Sequence, residues 1–216
     1  MINCKELIEK LNTVIGPTSD VLRVQLHEPC FKNSNAEKYV RECIESGWVS
    51  SAGKNINMFE GLLEEYTGAK NSIAVNNGTV ALRLALYLVG VRAGDEVMVP
   101  SLTFVGTANS IEHLGARPHF VDINRRDLAI DANKLNDRLD DIGLKVKGYV
   151  INKITGRRIA GIVPVHIFGF PANLPKILEV ANKWNIPVVE DAAEALGSWR
   201  NKIHCGLFGK VGILSF

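Results

Sequence analysis

Apolar residues in the first seventy positions recur at helical spacing. In MINCKELIEKLNTVIGP, Leu7, Ile8, Leu11 and Ile15 alternate with charged positions, which predicts an amphipathic helix and not a signal peptide with an unbroken apolar centre. Pro17 and Pro29 break the stretch that follows, so residues 1–34 are expected to be one helix and an irregular lead-in. Residues 35–46 place Tyr39, Val40, Cys43 and Ile44 on one helical face, and Gly47 ends the run. A polar loop, WVSSAGK (48–54), leads to a further helix over 55–66, with Ile56, Phe59, Leu62, Leu63 and Tyr66 inward and Gly68 at its C-terminal cap.

From residue 72 the period changes. Apolar strands are expected at 72–76, 95–100, 116–123, 158–165 and 186–191. Helices are expected between them at 80–90, with Ala81, Leu84, Ala85 and Leu88 buried, at 106–115, at 131–142 behind an Asp131 cap, and at 173–184. This alternation predicts an α/β fold in three layers, α/β/α, around a mostly parallel sheet. Residues 35–216 are thus read as one large domain. The basic stretch 144–159 is expected to project as a solvated hairpin with Thr155-Gly156 at its tip.

Composition narrows the function classes. The chain has 216 residues, is 46% hydrophobic and carries a net charge of +2 with both signs interspersed. That balance gives no basic stripe for nucleic acid. No apolar run approaches the roughly 20 residues of a membrane helix. Cys4, Cys30, Cys43 and Cys205 are scattered without a C-x-x-C pair, so neither a zinc site nor a disulfide framework is expected, and reduced thiols point to the cytoplasm.

Three loops fall at the C-terminal ends of expected strands, the rim where open α/β sheets bind ligands. Asn76-Asn77-Gly78-Thr79 opens a helix, whose free N–H groups suit a phosphate, though Gly-Thr there is also the make-up of a plain turn and cap. Phe104, after Pro100-Ser101-Leu102-Thr103, offers a face for a flat ring, or a core filler. Asp191 ends a buried apolar strand, where an unpaired carboxylate is costly and a protonated ring nitrogen would offset the cost; the alternative is an N-cap. Glu194 would share a face with it in a helical turn. His166, just past the strand 158–165, is a further candidate contact, or a structural histidine. GLFGKVG (206–212) lacks the order of a nucleotide P-loop. Together these describe a site for a planar, phosphate-bearing, protonated heteroaromatic, and pyridoxal 5'-phosphate fits.

At these residues the chain resembles the DegT/DnrJ/EryC1/StrS sugar aminotransferases, pyridoxal phosphate enzymes of fold type I. The likeness is carried by GWVSSAGKNINMFE, NNGTVALRLAL, GDEVMVPSLTFVGTANSI, PVHIFGFPANLPKI, VVEDAAEALGS and GKVGILSF, and runs from about Gln25 to Phe216. The lead-in LHEPCFKNSNAEKYVRECIESGWVSS resembles the subgroup of nonulosonic (legionaminic-type) and acylamino-sugar pathways. The resemblance implies that Gly78, Thr79 and Ser215 bind the cofactor phosphate, Phe104 stacks on its ring, Asp191 pairs with the ring nitrogen, and Glu194 lies near its phenolic oxygen where Gln or His is common. Leu207 and Lys210 depart from the family pattern. Trp48, Ser50, Lys54 and His166 are candidate substrate contacts.

The resemblance further implies transfer of an amino group from a donor, glutamate, to a nucleotide-linked keto-deoxy sugar, in a homodimer that builds each site from both subunits. The lysine that forms the Schiff base is expected a few residues beyond Phe216, and the family's small domain beyond that. The chain is therefore expected to be truncated and inactive alone: glutamate-dependent amination of a keto-sugar nucleotide by these 216 residues should be undetectable. Two rivals stand beside this reading. One is a sugar dehydratase on the same scaffold, with histidine for that lysine; the other is a non-catalytic truncated product or binding module.

Overall fold

The computed structural model describes residues 3–15 and 30–216, so the expected breaks at Pro17 and Pro29 lie outside the described residues. The chain divides into two compact units, Met1–Gly53 and Lys54–Phe216. The first holds helix α1 (Cys4–Ile15) and helix α2 (Ala36–Ser46), the latter ended by Gly47 in the left-handed region. The expected apolar faces form, but Leu7, Ile8, Leu11, Tyr39, Val40 and Ile44 are exposed.

The second unit begins with helix α3 (Lys54–Thr67) and helix α4 (Gly78–Leu88). The α/β part follows as β1 (Glu96–Pro100), α5 (Val105–Glu112), β2 (Arg117–Val121), α6 (Ala132–Ile142), β3 (Gly143–Val146), β4 (Tyr149–Asn152), β5 (Arg158–Ile162), α7 (Leu174–Trp184), β6 (Val189–Asp191), β7 (Trp199–Arg200), β8 (Ile203–His204) and β9 (Val211–Ile213). The main sheet has the order β2-β1-β5-β4-β3, with β2, β1 and β5 parallel, β4 antiparallel to β5, and β3 antiparallel to β4. The parallel pair β6-β9 joins it through the bridges Ile162 to Val188 and Val165 to Asp191. No described helix is long and apolar enough to cross a membrane.

Alternation along the strands builds the three layers. Met98, Ile162 and Val188 pack with Leu135, Leu139, Ile177 and Trp184 of α6 and α7. Their neighbours Val97, Val99, Val163 and Val189 pack with Leu82, Leu86 and Ile111 of α4 and α5. Successive side chains of a strand face opposite ways, so the sheet is covered on both sides, as expected. α6 starts at Asp131, whose carboxylate accepts the N–H groups of Asn133 and Lys134.

Four expectations are corrected. Residues 72–76 lie in no ladder: the Ser72 and Ala74 N–H groups donate to Glu64 Oε1 and Glu60 Oε1 of α3, each at 2.7 Å, so side-chain acceptors replace a partner strand. In α4 the buried stripe is Leu82, Ala85 and Leu86, while Leu84 and Leu88 are exposed; a helix apolar on every side leaves its inward face to tertiary packing. In α3, Phe59, Leu62 and Tyr66 are exposed, and Phe59 and Tyr66 meet Phe216 and Trp199 edge-on. The basic stretch 144–159 is not a projecting hairpin. It forms β3 and β4 on the sheet edge, with Lys147-Gly148 at the first turn and Thr155-Gly156 in the turn into β5.

That second turn is tied to the sheet by Glu96, whose carboxylate accepts from Thr155 Oγ1 (2.6 Å), Asn152 Nδ2 (2.8 Å) and His119 Nδ1 (3.1 Å). Burial pushes the Glu96 carboxyl up, but the bonds from Thr155, Asn152 and His119 outweigh it and hold it below the ordinary glutamate value. A depressed carboxylate stabilises the fold above its ordinary value and loses that contribution as pH falls through the folded one. Glu96→Gln should therefore cost about 1–3 kcal/mol at neutral pH in denaturant unfolding, with the gap to wild type closing below the ordinary glutamate range.

Candidate active site

The functional edge is built from two helix starts and two strand ends. Asn77, in extended conformation, caps α4: its Oδ1 accepts from Val80 N at 2.9 Å. The Gly78 and Thr79 N–H groups stand in the first turn, where the helix offers no acceptor. Gly78 is a close approach: a Cβ there would lie 3.0 Å from Ser215 Cβ and 3.1 Å from Ser215 Oγ. Ser215 follows β9, so the end of that strand closes on the start of α4. Helix-start N–H groups, a glycine without a side chain and a hydroxyl are the groups that could hold an anion.

α5 begins beside it. A Cβ on Gly106 would meet the Phe104 ring at 2.9 Å and Thr79 Oγ1 at 3.0 Å, so the ring and the hydroxyl flank the same glycine. Phe104 is 73% exposed, which removes the core-filling alternative. The Ser110 hydroxyl donates to the Thr79 carbonyl at 3.0 Å and ties α5 to the start of α4.

Asp191 ends β6 on the α4/α5 side of the sheet and is 6% exposed. Its Oδ2 accepts from Thr107 Oγ1 at 2.7 Å, and Thr107 in turn shares a 2.7 Å hydroxyl contact with Thr103. Ala193 N donates to Oδ1 at 3.3 Å. Among the described residues no cation pairs with this carboxylate. Burial pushes it above the ordinary aspartate value, the Glu194 charge adds to the rise, and the bonds from Thr107 and Ala193 and the nearby His166 offset only part of it. No helix follows Asp191; residues 192–198 run as turns, so the N-cap alternative falls.

The remaining expected residues divide. Glu194 is exposed and not in a helix; its Oε2 accepts from Phe168 N at 2.7 Å, which anchors the 3-10 turn Ile167–Gly169. His166 is corrected as a substrate contact: it is 1% exposed and both ring nitrogens are taken, Nδ1 accepting from Ala172 N at 3.0 Å and Nε2 donating to Glu190 Oε2 at 3.1 Å. Trp48 and Ser50 belong to the first unit, and Lys54 opens α3 in the second. A hollow of about 700 Å³ has Gly78 and Ser215 on its wall, together with 69–77, Leu84, Leu88 and 204–207; Thr79, Phe104 and Asp191 do not line it.

Sequence reasoning missed Thr107 and Glu190. Thr107 stands four residues after Thr103, one helical turn, which was a readable signal. Glu190 precedes Asp191 in a buried strand, and the period of two turns it to the opposite face.

The C-terminal edge of the sheet, where these residues lie, is where open α/β folds bind small molecules. Residues 31–216 match the DegT/DnrJ/EryC1/StrS aminotransferase family, and the chain belongs to it. The chain is 39% identical to GDP-perosamine synthase of Caulobacter vibrioides over 92% of its own length and 49% of that protein. It is 35% identical to UDP-4-amino-4-deoxy-L-arabinose--oxoglutarate aminotransferase of Shewanella sediminis over 73% of its length and 36% of that one. A solved DegT/DnrJ/EryC1/StrS aminotransferase from Brucella abortus superimposes with a TM-score of 0.76 at 31% identity, covering 86% of this chain and 47% of that structure. The chain spans about half the length of the curated GDP-perosamine synthase it matches.

The raised Asp191 gives a prediction with a definite sign. A carboxyl raised in the folded state destabilises the fold as pH climbs from the ordinary aspartate value through the raised one. Asp191→Asn should therefore raise the melting temperature of the ligand-free protein at neutral pH. It should leave that temperature unchanged below the ordinary aspartate range, as followed by circular dichroism.

Proposed function

We propose that this chain forms the cofactor-binding part of a pyridoxal phosphate-dependent aminotransferase acting on a nucleotide-linked keto-deoxy sugar. The observation that carries the reading is Asp191, a buried carboxylate with hydroxyl and amide donors but no cation among the described residues. A protonated pyridine nitrogen supplies that missing charge. The residues fit the group on a second count: the Gly78–Ser215 approach leaves no room for a Cβ, as expected of a cradle closed around a phosphate.

When bound, the cofactor supplies an electron sink for the bond changes at the amino-bearing carbon. The protein's own part is electrostatic and positional. Asp191 holds the proton on the ring nitrogen, and Thr107 fixes the carboxylate by bonding Oδ2. Phe104 lends an exposed aromatic face to the ring. The Gly78 and Thr79 N–H groups, at the positive end of α4, and the Ser215 hydroxyl hold the phosphate. Glu194 lies close enough to raise Asp191, anchors the 167–169 turn through Phe168 N, and would stand near the ring's phenolic oxygen.

The name of the Shewanella relative pairs an amino-sugar nucleotide with oxoglutarate, which supports glutamate as the amino donor and a role in glycan sugar synthesis. A homodimer in the cytoplasm completes the reading, with Trp48, Ser50 and Lys54 as substrate or partner contacts. The dehydratase alternative has less support, since the relative above whose name states its reaction is an aminotransferase.

Pyridoxamine 5'-phosphate tests this without activity. The chain should bind it, with quenching of protein fluorescence. Asp191→Asn should weaken binding by about tenfold or more, the effect of losing a charge-assisted hydrogen bond. Phe104→Ala should weaken it less, and Gly78→Ala should abolish it. Equal binding by wild type and Asp191→Asn would sink the assignment of Asp191.

A further inference from the structure

We propose that Glu190 is a positioning residue for the phosphate side of this site, acting through the 205–209 loop and β9 on Ser215. The inference rests on the reading of Gly78, Thr79 and Ser215 as a phosphate cradle.

Glu190 has no exposed surface and faces away from Asp191, toward α6 and α7. A carboxylate there is tolerable only with a full set of donors, and it has four. Gly206 N (2.8 Å) and His166 Nε2 (3.1 Å) bond Oε2, while Phe208 N and Gly209 N bond Oε1, both at 2.6 Å. Three of the four are amides of one turn, with only Leu207 N turned aside to the His204 carbonyl, so the turn wraps the carboxylate as a nest wraps an anion. The segment GLFGKVG is thus an anion-binding loop after all, but its anion is the protein's own. Ala172 N–H on Nδ1 of His166 fixes the ring so that Nε2 donates to Glu190. Glycines are needed for the fit: a Cβ on Gly209 would lie 2.7 Å from the Val188 carbonyl, and Gly212 packs directly on the Gly206 carbonyl.

The loop hands its placement to β9. Lys210 N bonds the Val188 carbonyl, β9 then pairs Val211, Gly212 and Ile213 with Val189, Glu190 and Asp191, and Ala192 N bonds the Ile213 carbonyl. Ser215 stands two residues further on, against Gly78. A slip of one residue would carry Ser215 about 3.3 Å along the strand and turn its hydroxyl to the other face. Three ladder pairs are a short grip, and the three loop amides bonded to Glu190 set the register before the first of them. Neighbouring carboxylates thus divide the work: Asp191 meets the ring, and Glu190 places the hydroxyl that meets the phosphate.

The test compares pyridoxamine 5'-phosphate with pyridoxamine, which lacks the phosphate. Dissociation constants are measured for wild type, Glu190→Gln, Ser215→Ala and the double variant. Glu190→Gln leaves an amide NH2 facing N–H donors. It should reduce the preference for the phosphorylated ligand by about tenfold or more, with pyridoxamine affinity changed less than about threefold. The double variant should lose no more of the preference than the worse single variant. Equal losses for both ligands, or losses that multiply in the double variant, overturn the proposal, since a residue that only stabilises the fold behaves that way. If Glu190→Gln does not fold, Gly209→Ala takes its place. It keeps the carboxylate but forces the loop away from the Val188 carbonyl, and an unchanged preference in that variant overturns the proposal. A wild type with no preference for the phosphorylated ligand refutes the cradle reading, and the inference with it.

Discussion

Two adjacent carboxylates at the end of one buried strand set the terms for everything around them. Glu190 and Asp191 cannot both be left unsatisfied in an apolar layer. The strand turns them to opposite faces, where they meet different fates. Glu190 is enclosed by four donors from the protein. Asp191 receives a hydroxyl and one long amide bond, and stays short of a countercharge. The first arrangement is structural and closed. The second leaves a buried charge unanswered among the described residues, the form in which a binding site can hold electrostatic demand.

The rest of the edge is organised to bring small groups close to that demand. Gly78 and Gly106 lie where a methyl group would collide with Ser215 and with Phe104 and Thr79. These contacts knit the starts of α4 and α5 to the end of β9. Ser110 of α5, wholly buried, ties the two helices together through its bond to the Thr79 carbonyl of α4. Thr79 and Thr107 are therefore presented from helix starts, while Ser215 takes its place from the 205–209 loop and β9.

Most of the α/β framework was legible because its signals are local. Asp131 announced α6, and the run PVVED announced β6. Gly78, Thr79, Phe104 and Asp191 were readable as strand-end or helix-start residues; Gly106 lies against Phe104 and Thr79 and its neighbour Thr107 bonds Asp191, while the hollow takes in Gly78 without the other three. The misreadings share one cause: they turned on partners distant in sequence. Residues 72–76 have strand composition, yet their amides are claimed by glutamates 8 and 14 positions earlier. His166 looked available until Ala172 and Glu190 took its nitrogens. The tight turn 206–209 shows no purpose unless Glu190 is known to lie beneath it. The antiparallel edge of β3 and β4 depends on Glu96, more than fifty residues upstream of the turn it holds.

The extended segment beside α3 carries one more consequence. Ile73 and Val75 expose apolar side chains on a stretch of backbone that belongs to no sheet. Such a stretch is ordinarily a template for another chain to add itself and seed aggregation. Glu60 and Glu64, one helical turn apart, occupy the two amides on one border of it. A stray strand approaching from that side finds the donors already engaged and two carboxylates in its path, so a pair of helix residues works as a gatekeeper against fibril-like growth.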